Sequence, residues 1–262
     1  MQPIQHILTS TVLLVLTFVS GVASAQVKGG AEERSPIVQV QEDPAVVQAT
    51  KQLKSVFDEA DAAVQKQRAA FEEVSKSIEA AGGVQRLDRK AFREAKERLM
   101  KVARDAEKTA GSVMRQEPVV RGAIRTLVDR NASVRERWNS KIEVVDSKIE
   151  EVKTHADLDE SARTEFVKGY EAARAAMQKQ VEALRGMDSK RGDFEKRLNT
   201  AFTTLKFSQD LLKTSAEVLE ADGDASEALA KLESLVKKLQ DMSLGVAKHA
   251  REMAKVFEEP QP

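Results

Sequence analysis

The chain has 262 residues, with 42 Lys+Arg against 42 Asp+Glu, no Cys, and aromatics at only 4%. The missing cysteine excludes disulfide scaffolds and thiolate metal sites, and a formal net charge of zero argues against a dedicated nucleic-acid binder, whose footprint is strongly basic. Few aromatics combined with 32% charged residues depart from the composition of a compact enzyme core and fit long helices and coiled coils.

Residues 1–25 read as a cleaved secretory signal peptide. Val12 to Val19 form a short apolar run, and Ala23-Ser24-Ala25 before Gln26 is the small-x-small pattern that a signal peptidase accepts. The run is shorter than the ~20 residues a bilayer span needs, which favours a cleaved signal over an anchor. One feature departs from the pattern: no Lys or Arg precedes Lys28. No Cys follows the cleavage site, which excludes a lipid anchor of the bacterial lipoprotein kind. The mature chain is therefore expected outside the cytosol, indifferent to redox state.

Residues 26–43, with Gly29-Gly30 and Pro36, read as a flexible linker. From 44 to 258 the pattern predicts one all-α body, followed by a disordered tail at 259–262. Asp43-Pro44 opens the first helix, with Asp as N-cap and Pro at the first helical position, where its missing N–H costs nothing. A seam with alternating steps of four and three then runs from Val46 through Leu53, Phe57, Val64, Phe71 and Ile78 to Ala81, where Gly82-Gly83 stops it. The period resumes through Phe92, Ala95, Leu99, Val102, Ala106, Thr109 and Val113. Pro118 ends that helix or kinks it. Val120, Ile124, Leu127, Asn131, Val134, Trp138, Ile142, Val145, Ile149 and Val152 carry the stripe on, with a stutter at Val134-Trp138-Ile142. A turn is expected at His155-Ala156-Asp157, with Asp157 and Glu160 at capping-box spacing.

The longest seam runs from Phe166 to Leu219. Twelve of its sixteen positions are apolar, against eleven of the thirty-eight residues between them, so the period is helical. Gly186 and Gly192 interrupt the composition but not the phase. At ~1.5 Å per residue, the stretch 158–221 would span roughly 95 Å. Asp222-Gly223-Asp224 turns the chain into a last helix, from Ala228 through Leu232, Leu239, Met242, Val246, His249 and Met253 to Val256. The short turns make successive helices antiparallel neighbours, and Phe207, Leu211 and Val218 widen the stripe beside the main seam. The expected architecture is all-α: an elongated bundle of long antiparallel helical hairpins with coiled-coil seams.

Residues for chemistry are sparse. His155 lies near a turn and His249 on a seam, with Glu151 four residues before the first and Glu252 three after the second. A carboxylate di-metal bundle needs two Glu-x-x-His units, and the sequence has none. Phosphate-loop, dinucleotide, zinc-protease and nucleophile-elbow motifs are also missing. Glu150-Glu151 and Glu258-Glu259 read as solubility features on charged helix faces. No catalytic residue, metal, cofactor, small-molecule substrate or nucleic acid is expected. Gln180 and Arg191 are read as a register-fixing polar residue and a snorkelling side chain, and the seam methionines as core filler. Asn131-Ala132-Ser133 is a formal glycosylation sequon, read as ordinary helix surface. Residues 86–141 hold sixteen basic and eight acidic side chains, and 142–170 hold four and eight, a reversal expected to pair across a hairpin or between protomers.

The helical body, the Arg137-Trp138 step in a charged helix and the stretch Leu205-Lys206-Phe207-Ser208-Gln209-Asp210-Leu211-Leu212 resemble an uncharacterised family of bacterial exported helical envelope proteins. There is a looser similarity to Skp-type periplasmic holdase chaperones, which also join a signal peptide to helical hairpins without cysteine. The resemblance implies a periplasmic location and a coiled-coil shape, and it carries no active site. The expected function is a non-enzymatic structural or adaptor element of the envelope, engaging protein partners or a second copy through Phe166, Tyr170, Met177, Leu184, Phe194, Leu198, Leu205 and Leu212. The alternatives are a holdase for unfolded clients, or binding of an anionic membrane or cell-wall surface by the 86–141 stretch.

Overall fold

A computed structural model of the chain describes residues 35–221 and 226–258. The signal at 1–25, the first part of the linker, the turn at Asp222-Gly223-Asp224 and the tail at 259–262 lie outside the described residues. Those described are all-α, with no strand among them.

The first helix, α1 (Pro36–Gln41), lies where the sequence suggests a linker. Ser35 Oγ accepts from the Val38 N–H at 3.4 Å, Pro36 stands at the helix start, and Val40 is fully buried. Six residues are too few to show a heptad, so no period announced it. Helix α2 (Pro44–Ser55) begins as the Asp-Pro pair predicts: Asp43 Oδ1 accepts from the Ala45 N–H at 2.8 Å. The unbroken seam then hides a break. Phe57 takes φ −110° at the N-cap of α3 (Asp58–Ala80), while its ring stays buried at 1% exposure. Asp58, Glu59 and Asp61 crowd the first turn of α3, where the helix dipole favours negative charge.

Gly82-Gly83 ends α3 for a stated geometric reason. The Gly82 N–H bonds the Glu79 carbonyl at 2.8 Å and the Gly83 N–H bonds the Ile78 carbonyl at 3.0 Å. This is a Schellman closure, and it needs the positive φ of +81° found at Gly82. A 3₁₀ turn (Val84–Arg86) follows, and Asp88 Oδ1 caps α4 (Arg89–Arg115) by accepting from the Ala91 N–H at 2.8 Å. Pro118 separates two helices rather than kinking one. It sits in the first turn of α5 (Glu117–Thr154), where no intrahelical donor is required. At the next turn the cap is Asp159, not Asp157. Asp159 Oδ1 accepts from the Ala162 N–H at 2.8 Å, and α6 (Glu160–Ala221) starts there. Helix α6 runs without a break through Gly186 and Gly192, and α7 (Ser226–Glu258) completes the fold.

The body from 44 to 258, read from sequence as one bundle, divides into two compact units. Among the described residues, the first comprises 35–46 and 127–189, and the second 47–126 and 190–258. In the first unit, the later part of α5 and the earlier part of α6 form an antiparallel hairpin. Leu127, Val134, Trp138 and Ile149 of α5 are buried, as are Tyr170, Ala173, Met177, Val181, Leu184 and Met187 of α6. Toward the turn, Ile142, Val145, Val152 and Phe166 are only half-buried.

The second unit is a bundle whose four main rods are α3, α4, the later part of α6, and α7, with 47–55 of α2 preceding α3 and 117–126 of α5 following α4. Helix α7 packs against both α3 and α4. Its Asp241 pairs with Arg68, its Glu233 meets the Ser75 hydroxyl, and its Arg251 bonds Asp58 at 2.9 Å and Asp61 at 2.5 Å. Residue numbers rise along α3 as they fall along α7, so the two helices are antiparallel in one fixed register. Helix α6 joins through Gln209 Nε2, which donates to the Glu107 carbonyl at 3.2 Å, and through Ser208, which donates to Met242 Sδ at 3.1 Å. The rings of Phe57 and Phe202 lie 6.5 Å apart, tilted. Fourteen of the 33 residues of α7 are buried, which makes it the centre of this core. At about 1.5–3 kcal/mol for each large apolar side chain removed from water, the seams supply the main drive for folding.

Candidate interaction surface

The eight seam residues read as a partner-binding face form the interior of the chain itself. Tyr170, Met177, Leu184, Leu198, Leu205 and Leu212 are buried, while Phe166 and Phe194 are half-buried. This corrects the expectation that the Phe166-to-Leu219 seam is open to another molecule: the period was right, and its occupant is the chain's own helices. The methionine reading fits the same picture, since Met177, Met187 and Met253 are buried and Met242 half-buried.

Polar positions in the seams are used for register. Asn131 is fully buried, and its Nδ2 donates to the Leu184 carbonyl at 3.2 Å and to Asp188 Oδ1 at 2.8 Å. Arg135 pairs with the other oxygen of Asp188. Asn131 is therefore neither helix surface nor a reachable glycan acceptor, despite its sequon. Farther along the same hairpin, Arg174 pairs with Asp146 at 2.5 Å. That register brings Trp138 level with Gln180. The indole N–H and the Gln180 Oε1 are both buried, and neither has a hydrogen-bond partner among the described residues. Lys141 sits over the Trp138 ring at 4.7 Å, and partial burial holds its pKa below the usual lysine value.

Among the described residues, His155 and His249 do not assemble a metal centre. His155 is exposed beside its turn, and its Nδ1 lies 3.4 Å from the Asp157 N–H. The Arg163 guanidinium closes that turn by donating to the His155 and Leu158 carbonyls at 2.9 and 3.0 Å. Glu151, the candidate partner of His155, is bound instead to Lys148, which lowers the Glu151 pKa and raises that of Lys148. His249 Nδ1 lies 3.2 Å from Glu252. No group of three or more His, Asp or Glu side chains could hold a metal ion among the described residues. No helix among them is long and apolar enough to cross a membrane.

Four arginines of the basic 86–141 stretch form ion pairs. Arg104 pairs with Glu220, Arg121 with Glu117, Arg130 with Asp43 and Arg135 with Asp188. None of these four acids lies in 142–170. The exposed pairs among them, Arg104–Glu220 and Arg121–Glu117, contribute little stability, on the order of 0–1 kcal/mol each.

One open groove of the second unit lies between α6 and α7. It has a volume of about 450 Å³ and is lined by Lys196, Arg197, Thr200, Ala201 and Thr204 of α6 and by Met242, Gly245 and His249 of α7. The same face of α6 continues from Thr204, at steps of three, four and seven, to Phe207, Leu211 and Val218, which are 62%, 36% and 51% exposed. These three widen the stripe beside the main seam, and a wider stripe calls for more than one helical partner. The structure leaves them uncovered. The chain matches no known protein family, no curated protein and no solved structure.

Proposed function

We propose that this chain is an exported, non-enzymatic helical protein that serves as a structural or adaptor element of the bacterial envelope through helix-on-helix recognition. One observation carries the reading. The fold covers its heptad seams with its own helices, yet leaves an ordered apolar stripe, Phe207-Leu211-Val218, exposed on a rigid helix. An apolar stripe at helical spacing beside a groove is what helix-in-groove recognition uses. The Ala23-Ser24-Ala25 pattern supports export.

The test is a crosslinked pull-down of the full chain expressed in a bacterial host, with bound proteins identified and quantified. One stoichiometric partner is the expected result, and recovery of the bait alone would sink the adaptor reading. N-terminal sequencing of the recovered protein is expected to start at Gln26; an intact Met1 would remove the export part. A holdase is the second reading, favoured by the half-covered Ile142, Val145 and Phe166 near the hairpin turn and by Val144 at 60% exposure. It predicts a broad set of unfolded precursors in the same experiment.

A further inference from the structure

Resting on the adaptor reading above, we infer that the α6/α7 groove of the second unit is a docking site for a single amphipathic helix with acidic flanks, contributed by another protein. The length comes from the stripe. Thr200, Thr204, Phe207, Leu211 and Val218 follow one another at helical spacing, and the 18 steps from 200 to 218 at ~1.5 Å each give a track of roughly 27 Å. That accommodates about five helical turns. Ser208 holds α6 against Met242, so the α7 wall is fixed beside it. Gly245 contributes only backbone to the groove, and a Cβ placed there would meet nothing within 4 Å. The upper part of the track is therefore a trough into which a side chain fits.

The charge selects the occupant. Lys196 and Arg197 stand at one end of the groove. On α7, Lys231 and Lys238 precede Met242, Gly245 and His249 on the same helical face, at steps of seven, four, three and four. Lys196, Lys231 and Lys238 are exposed, and no ion pair engages them among the described residues. The acidic side chains of α6, Asp210 and Glu217, lie on its far edge, beyond Phe207. Acidic flanks on the incoming helix would thus meet lysines along α7 while its apolar face covers Phe207, Leu211 and Val218. A second copy is disfavoured by the same charges. A two-fold contact sets the same patch against itself, which would bring Lys196, Lys231 and Lys238 face to face.

The probe is a synthetic 18-residue amphipathic peptide with leucines at alternating three and four spacing and glutamates on both flanks. Its twin carries lysines in place of the glutamates. Titrated against the full chain, the acidic peptide is expected to bind at one per chain, at least about tenfold tighter than the twin. Phe207→Glu with Leu211→Glu should weaken it by about tenfold or more, and Lys231→Glu with Lys238→Glu several-fold with a shallower salt dependence. All four positions are exposed, so circular dichroism of the variants should match the parent. Absence of binding, equal binding of both peptides, or indifference to the variants would overturn the inference. So would a dimer of the parent chain that the Phe207→Glu/Leu211→Glu variant dissolves, or sedimentation with phosphatidylglycerol vesicles that depends on the same residues. If the double variant still recovers its stoichiometric partner from the envelope, the groove is wrong and the adaptor reading survives.

Discussion

The two units carry the same heptad spacing and put it to different use. In the four-helix unit, α7 is surrounded, and Leu232, Val236, Leu239, Val246 and Ala250 are fully buried. Toward the turn of the hairpin unit, only α5 and α6 cover one another, so the apolar side chains there stay half-exposed, while farther back Asn131, Arg135 and Asp188 join the two helices. A sequence period reports which residues share a face. It does not report how many neighbours will cover that face. Burial follows the neighbours, and the two units should differ in stability accordingly.

The contrast can be broken most forcefully at the centre of the bundle. Leu239→Ala is expected to lower the unfolding free energy by about 2–5 kcal/mol, read from the denaturant midpoint. A change below ~1 kcal/mol would mean that α7 is not the core. In the hairpin, Asp188→Ala removes the ion-pair partner of Arg135 and one of the two acceptors of Asn131, and a loss of about 1–3 kcal/mol is expected. Hydrogen exchange should locate that loss to 127–189, with the amides of α3 and α7 unchanged. Uniformly faster exchange would show that the two units do not open independently. Phe166→Ala, at a half-covered position, should cost only about 1–2 kcal/mol, less than a fully buried Phe. The smallest effect has the opposite sign. A Cβ at Gly186 or Gly192 would meet nothing within 4 Å, so replacing either by Ala should stabilise by about 0.5–1 kcal/mol. A destabilisation at either position would reveal a close approach that the structure does not contain.

Much of this fold is legible in the residues, for reasons that can be named. Val46, Leu53, Val64, Val74 and Ile78 are buried because a regular apolar face has one low-energy use. Asp43-Pro44 and Gly82-Gly83 mark helix ends because each satisfies or omits a backbone donor locally. Features that depend on distant partners were not legible. The break at Phe57 keeps the phase of the seam, so no periodic argument detects it. Asp157 and Asp159 both suit a cap, and only the closed turn with Arg163 selects the second. The exposed Phe207, Leu211 and Val218 have the composition of core residues. They differ from core only because the neighbouring helices sit on the other side of α6.

The fixed register between α3 and α7 has a consequence for how the gene can change. Arg68–Asp241, Ser75–Glu233 and the Arg251 contacts to Asp58 and Asp61 are joined along two rigid rods. Deleting one codon within α3 would rotate everything beyond it by about 100° and shift it by ~1.5 Å. All contacts on one side of the lesion would be lost together. Length variation is therefore excluded from the helices of the bundle, except in steps of seven matched in each neighbour. It is tolerated at the exposed turn between α5 and α6. Natural insertions, affinity tags and reporter domains should all be accepted at 155–158 and rejected inside α3 or α7.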